Sequence, residues 1–485
     1  MADRRPSPRL LVTALMLATG LALAGCSGAP SYRPVAVATP PAFREDGPWA
    51  EAAPVDPALG RDWWRALGDP QLDALEARLE TDSPTLAVAL ARREEANAAL
   101  RTALADRLPT IGTGSTLTYD RQSDDRPLRG SSQESEYGAN TLQGSISYEV
   151  DLWGRVRSEV AAGRANAQAS IDDVEAIRLS LQADLASLYI ALRGLDAETE
   201  LLTGTVDAYA QADAVVRARF RGGVATGIDT GRSGAQLADA QAQLADVRAT
   251  RARVEHAIAS LVGTPASAFS LPQVTGTLHL AAMPVGLPST LLQRRPDVAA
   301  AERRVYAANR SIGVAKAAFF PLVNLGGTGG TNATTLAGLV ASPNAFWALG
   351  PTIALTVFDG GRRHAALRTA RAKWAEASAT YRGTALKAFQ EVEDSLSSLH
   401  HYGDEENAET RAASEAQQAA DLSMIRYTKG AATYLDVVTA QTAALAARRR
   451  AIEVHTLHLG ATVSLARAVG GGWSATNPQT PRKEG

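Results

Sequence analysis

The sequence predicts an α+β membrane protein built by internal duplication, each half setting a β-hairpin on a long helical hairpin. Three observations carry this expectation: an ordered self-match between the two halves, paired segments of period-two alternation, and two Pro-free stretches too long for a compact domain. Composition agrees, with 45% hydrophobic and only 5% aromatic residues, a profile suited to long packed helices. A formal net charge of -2 supplies no basic field, so no nucleic acid is expected as a partner.

The duplication is legible residue by residue. Pro84 and Pro109 recur as Pro296 and Pro321, and Arg92, Ala96 and Asn97 recur as Arg304, Ala308 and Asn309, all displaced by 212. Gly154-Arg155 recurs as Gly361-Arg362, and Arg219, Gly223, Thr226 and Asp229 recur as Arg426, Gly430, Thr433 and Asp436, displaced by 207. The shift changes only between Pro109 and Gly154, as an insertion in a surface loop does.

Strands are read where apolar residues alternate. Tyr148, Val150 and Leu152 interleave with Ser147, Glu149 and Asp151, and Ile353, Leu355 and Val357 interleave with Thr352, Ala354 and Thr356. Preceding strands are expected at Thr110–Tyr119 and Leu322–Gly330, giving hairpins at about 110–152 and 321–358. The run Gly326-Gly327-Thr328-Gly329-Gly330 lacks the Lys-Ser/Thr of a phosphate loop; it falls in the strand expected at Leu322–Gly330 or in an extracellular loop, and the loop is the favoured reading. Helices follow over Arg155–Phe220 and Arg362–Tyr427, each 66 residues and so about 100 Å long. Gly222-Gly223 and Gly430 break them, and Asp229 and Asp436 precede a second antiparallel helix in each half.

The N-terminus carries Arg4, Arg5 and Arg9, then an apolar run from Leu10 to Gly25 that suits a secretory signal and is short for a membrane span. It ends Leu23-Ala24-Gly25-Cys26, which resembles a lipobox; Cys26 is the chain's one cysteine and the expected lipid attachment site. Nothing after Cys26 offers a transmembrane helix, so any span is made by strands. Four strands alone leave two unpaired edges in hydrocarbon, which predicts closure by identical neighbours in a ring.

Several stretches then resemble the TolC-like outer-membrane efflux proteins, in their lipid-anchored NodT branch. They are Leu291-Leu292-Gln293-Arg294-Arg295-Pro296-Asp297-Val298 through Ala318-Phe319-Phe320-Pro321, with Asp62-Trp63-Trp64, Gly68-Asp69-Pro70, Asp151-Leu152-Trp153-Gly154-Arg155, Phe358-Asp359-Gly360-Gly361-Arg362 and Gly470-Gly471-Gly472-Trp473. The resemblance implies a homotrimer whose protomers each give four strands to a twelve-stranded barrel, continuous with a periplasmic α-helical barrel. It also implies a periplasmic adaptor, an inner-membrane pump of the RND type, outer-membrane lipid, and passive export of drugs, toxic compounds or metal ions. The expected segments are a signal peptide at 1–25, a lipidated segment at 26–70, structural repeats at 71–280 and 281–473, and a flexible tail at 474–485.

Site expectations follow. The turns from Arg219 to Asp229 and from Arg426 to Asp436, with Gly222, Gly223, Thr226, Gly430 and Thr433, match the family's adaptor-docking tips. Asp436 matches an acidic ring at the periplasmic aperture; Asp229 is read as a link to a neighbouring helix, and Tyr427 as a partner in the gate. The plainer reading makes both Asp residues N-caps. Pro109, Pro321, Trp153 and Phe320 are assigned to the barrel-to-helix junction. His455 and His458, one helical turn apart, and His400-His401 are set aside as exposed histidines, so no metal site is assigned, and no cofactor beyond the diacylglycerol and fatty acyl on Cys26. No convergent acid, base or nucleophile set appears, so the chain is not read as an enzyme. A lipid-anchored periplasmic scaffold or adaptor is the alternative; it explains the helices and Cys26 but not the two alternating hairpins.

Overall fold

The computed structural model describes residues 30–40, 42–45, 62–123, 125, 134–274 and 294–472. The signal segment, Cys26, Trp473 and the tail lie outside the described residues. Two compact units divide the chain: Met1–Val35, Glu94–Ser170 and Ala301–Tyr381 make the first, and Ala36–Arg93, Ile171–Ala300 and Arg382–Gly485 the second.

The duplication reappears in element lengths. Helices α1 (Pro70–Asp82) and α2 (Pro84–Ala105) lead into β1 (Thr110–Arg121), β2 (Glu136–Glu149), α3 (Arg155–Arg221) and α4 (Gly227–Leu261). The second half follows with α5 (Pro296–Ala317), β3 (Leu322–Ala333), β4 (Ala345–Ala354), α6 (Arg362–Thr428) and α7 (Tyr434–Ala468). α2 and α5 each have 22 residues and begin with Pro at the first helical position, where its missing N–H costs nothing. α3 and α6 each have 67 residues, and α4 and α7 each have 35. No described helix is long and apolar enough to cross a membrane.

In the first unit the four strands form one antiparallel sheet in the order β1-β2-β3-β4. Register puts Ile111, Ile146, Gly327 and Leu349 in one row across the sheet, and Tyr148, Leu325 and Pro351 in another on the same face. The opposite face carries Gly112, Ser145, Thr328 and Ala348, and Thr116, Thr141 and Asn332. One face is therefore aliphatic and aromatic, the other small and polar. The apolar face is bare in a single chain: Ile111 is 77% exposed, Leu349 70% and Trp347 82%. Below the sheet, Ala103, Val156 and Val160 make a small core with Leu104.

Three strand expectations need correction. β2 stops at Glu149 and β4 at Ala354, so Val150, Leu152, Leu355 and Val357 are not in strands although their alternation continues. At the first of these ends the Asp151 carboxylate accepts the Val156 and Arg157 backbone N–H groups at 3.2 and 2.9 Å, turning the chain into α3 before the strand can extend. Gly326 to Gly330 belong to β3, not to a loop. At two of these positions glycine is required sterically: a Cβ on Gly330 would fall 2.1 Å from the Leu142 carbonyl oxygen, and one on Gly327 would press on Ile146 and Leu349 at 3.0 Å.

In the second unit α3, α4 and α7 share a core of Leu201, Leu202, Leu244, Val247 and Leu445. Asp69 N-caps α1 through Gln71 N–H at 2.8 Å, and its other oxygen accepts from Tyr189 at 2.6 Å. A buried cluster joins Arg193 and Arg251 to Asp196 at 2.7 and 2.6 Å, and Arg251 also donates to the Leu271 carbonyl at 2.9 Å. Buried charges of this kind are tolerated only when paired, and here each is.

Candidate functional site: paired helical tips and the strand-helix junction

Both tips are built by one device. α3 ends as Val224 N–H donates to the Arg219 carbonyl at 2.9 Å, and α6 as Ala431 N–H donates to the Arg426 carbonyl at 2.8 Å. Gly223 and Gly430 make that reversal at φ 73 and 77, the left-handed region in which a Cβ is strained. Thr226 and Thr433 then N-cap α4 and α7. Asp229 accepts from the Thr226 N–H and hydroxyl at 2.9 and 2.7 Å, and Asp436 from the same atoms of Thr433 at 2.9 and 2.8 Å. The two Asp residues are thus the third helical residues of reciprocal capping boxes, not N-caps, and they lie inside the second helices instead of ahead of them. Within one chain the hydrogen bonds of Asp229 go to Thr226.

These hydrogen bonds from the capping threonines hold both carboxyls below the usual carboxylate range, helped by Arg232 beside Asp229 and Arg426 beside Asp436. Both tips therefore present a fixed negative charge at neutral pH.

The first tip clasps the second through a side chain that the repeat pattern alone does not single out. Arg219 lays its guanidinium 4.7 Å from the Tyr427 ring centre and donates to the Tyr427 and Thr428 carbonyls at 3.1 and 3.2 Å. It satisfies the last turn of α6, where free carbonyls and the helix dipole favour a cation. Its repeat mate Arg426 donates instead to the Ala431 carbonyl of its own turn, at 3.3 Å. Tyr427 and Tyr434 meet edge to face at 5.3 Å and pack with Val216 and Val437. Burial raises the phenol pKa of Tyr427, and pushes that of Tyr434 to about 12. Below them Asp213 accepts from Ser233 at 2.5 Å and Arg217 at 2.6 Å, while its repeat position is Ala420. Burial works to raise the Asp213 pKa, and those two donors together bring it below the ordinary value.

At the junction three of the four expected residues, Trp153, Phe320 and Pro321, meet. The Trp153 indole N–H donates to the Pro321 carbonyl at 2.7 Å, and its ring stacks on Phe320 at 4.7 Å and 19°. Arg155 grips Glu149 with two hydrogen bonds of 2.8 and 2.6 Å, joining the first turn of α3 to the end of β2. Pro109 and Pro321 each stand four residues beyond a helix end, at Ala105 and Ala317, and immediately before Thr110 and Leu322, where β1 and β3 begin. Pro109 leads into the edge strand and Pro321 into an inner one, so only Pro321 shares the Trp153 contact.

A family model described as outer membrane efflux protein matches residues 76–264 and 287–471, one block in each half. The chain belongs to the outer membrane efflux protein family. It is similar to the outer membrane protein OprJ of Pseudomonas aeruginosa, 31% identical over 471 residues that cover 96% of each chain. It is also similar to the pyoverdine export outer membrane protein OpmQ of the same species, 30% identical over 475 residues, 97% of this chain and 98% of that one. Among solved structures the outer-membrane channel OprN superposes with a TM-score of 0.83 at 28% identity, covering 92% of this chain and all of that one. As an outer membrane efflux protein, the chain is the channel component of an efflux system and resides in the outer membrane. Its two-faced sheet and paired tips are the features through which that role is to be understood.

Proposed function

We propose that three copies close their four-stranded sheets into a twelve-stranded barrel across the outer membrane, while α3, α4, α6 and α7 of each line a periplasmic tunnel. The observation that carries this reading is the sheet itself. Its strands have 12, 14, 12 and 10 residues, and roughly 9 to 11 tilted residues suffice to cross a bilayer. Its apolar face fits lipid and its Ser-, Thr- and Gly-rich face fits water, while β1 and β4 each leave an edge that only another strand can satisfy. A periplasmic scaffold would leave Ile111, Trp347 and Leu349 in water for no return.

On this reading solutes move passively and the chain performs no chemistry. An inner-membrane pump, of the RND class, supplies energy through a periplasmic adaptor that docks on the tips, where Val224 and Ile228 stand exposed beside Gly222 and Gly223, and Leu435 beside Gly430 and Thr433. Three Asp436 carboxylates around one aperture repel one another and attract cations, forming the gate with Tyr427 packed behind. Cargo is of the small-molecule class of its relatives, which include a toluene efflux pump protein of Pseudomonas putida and a cation efflux system protein of Escherichia coli. Diacylglycerol and a fatty acyl chain on Cys26 anchor the N-terminus in the membrane. Native mass spectrometry of the full-length protein from membranes reads both claims: a particle of three chains, each carrying the acyl mass, is expected. Monomers or dimers would overturn the barrel, and unmodified chains the anchor.

A further inference from the structure

We infer that His400, His401 and Asp404 form a surface site on α6 for one borderline-soft divalent cation of the zinc class. The argument begins with where the histidines fall. Of the chain's seven, four lie in two short windows, His400-His401 on α6 and His455 with His458 on α7. Both windows contact the acidic run Asp404-Glu405-Glu406, and the partners of that run separate a closed cluster from an open one.

Glu406 is fully engaged. Its two oxygens stand 2.6 Å from His455 Nδ1 and 2.6 Å from His458 Nδ1, with the His458 ring lying over Gly403. Glu405 is likewise taken, by Arg450 at 2.5 Å. Glu406 thus has both oxygens committed and Glu405 one, and the α7 histidines have each committed Nδ1 to Glu406.

Asp404 is different. Its carboxylate lies 3.9 Å from His400 Nε2, too far for a hydrogen bond, and 76% of its side chain is exposed. The His400 and His401 rings meet edge to face at 5.1 Å. One ligand atom from each of the three residues lies within 4.8 Å of the other two. Donor atoms around a zinc ion sit about 2.0 to 2.2 Å from the metal, so modest rotamer changes bring all three into its coordination shell. His400 and Asp404 are one helical turn apart on one face, the spacing by which a single helix presents two ligands. Two imidazoles and one carboxylate favour zinc, nickel or copper over magnesium or calcium, and an exposed position leaves the remaining coordination to water. The donors all come from α6, so the site does not depend on how α6 meets other helices.

The test is a titration of full-length protein, purified in detergent without a polyhistidine tag, with Zn²⁺ against a chromophoric zinc chelator. Wild type is expected to take one Zn²⁺ per chain. His400→Ala and His401→Ala should each weaken binding by about tenfold or more, the loss typical when a metal site is disturbed, and Asp404→Asn should weaken it several-fold. His458→Ala should bind as wild type does, and circular dichroism should read the same helix content throughout. Binding that persists in the His400→Ala/His401→Ala double variant, or that disappears in His458→Ala alone, would overturn the assignment. So would a wild type that takes up no more zinc than the double variant.

Discussion

Asp436 shows how much one carboxylate is asked to do. It closes a capping box with Thr433, which holds it ionised, and it stands where the aperture of the assembled channel is proposed. Replacing it with Ala would remove the charge and the acceptor that closes the capping box together. Asp436→Asn keeps an oxygen for the Thr433 N–H and removes only the charge. Glu76 presents the opposite case. It is 0% exposed, neither carboxylate oxygen has a hydrogen-bond partner, and burial, with Glu80 and Asp73 nearby, lifts its pKa from an ordinary 4.5 to about 9. Folded, it holds its proton at neutral pH; unfolded, it loses it. The folded state then binds more protons between those two values, so stability falls as pH rises from about 4.5 to about 9. Glu76→Gln should remove this slope and, at pH 8, raise the unfolding midpoint by roughly 2 to 4 °C. Parallel pH dependences in thermal melts of the two proteins would refute the buried, protonated Glu76.

Between elements, the two halves are alike in backbone and unlike in side-chain chemistry. Arg219 caps the last turn of the partner repeat's helix, whereas Arg426 stays within its own turn. A hydrogen bond from a charged donor contributes about 1.5 kcal/mol or more, so Arg219→Ala should speed amide exchange across 424–434 by about tenfold. Arg426→Ala should change it little, and equal effects from the two variants would show that the clasp carries no weight. The sequence made the helical framework readable because Pro, Gly and the Thr-to-Asp spacing recur at constant displacement. It misplaced the strand ends because the alternation at Val150 and Leu152 runs on past the point where Asp151 caps α3. It placed the glycine run within an expected strand but favoured a loop, because the crowding by Leu142, Ile146 and Leu349 that favours glycine there is a cross-strand fact. The Arg219 clasp was hidden by the repeat match itself, and the pairing of Glu406 with two histidines joins residues 49 and 52 positions apart.

For the molecule as a whole, a sheet with one lipid-compatible face, one water-compatible face and two open edges makes sense only as an arc of a larger wall. The family match and the likeness to OprN make the chain an outer-membrane efflux channel, and the proposed ring gives that channel its wall. Ring closure, pore and gate then become one physical claim: identical arcs enclose a polar lumen, and carboxylates at the tips set its narrowest point. Single-channel recording of the purified protein in a planar bilayer, comparing wild type with Asp436→Asn, tests it most directly. Stable unitary openings are predicted for both, larger or more frequent in the variant because the ring loses its charge while the helix cap survives. Wild-type openings in the variant would remove Asp436 from the gate, and a folded oligomer of either protein that never conducts would contradict the channel itself.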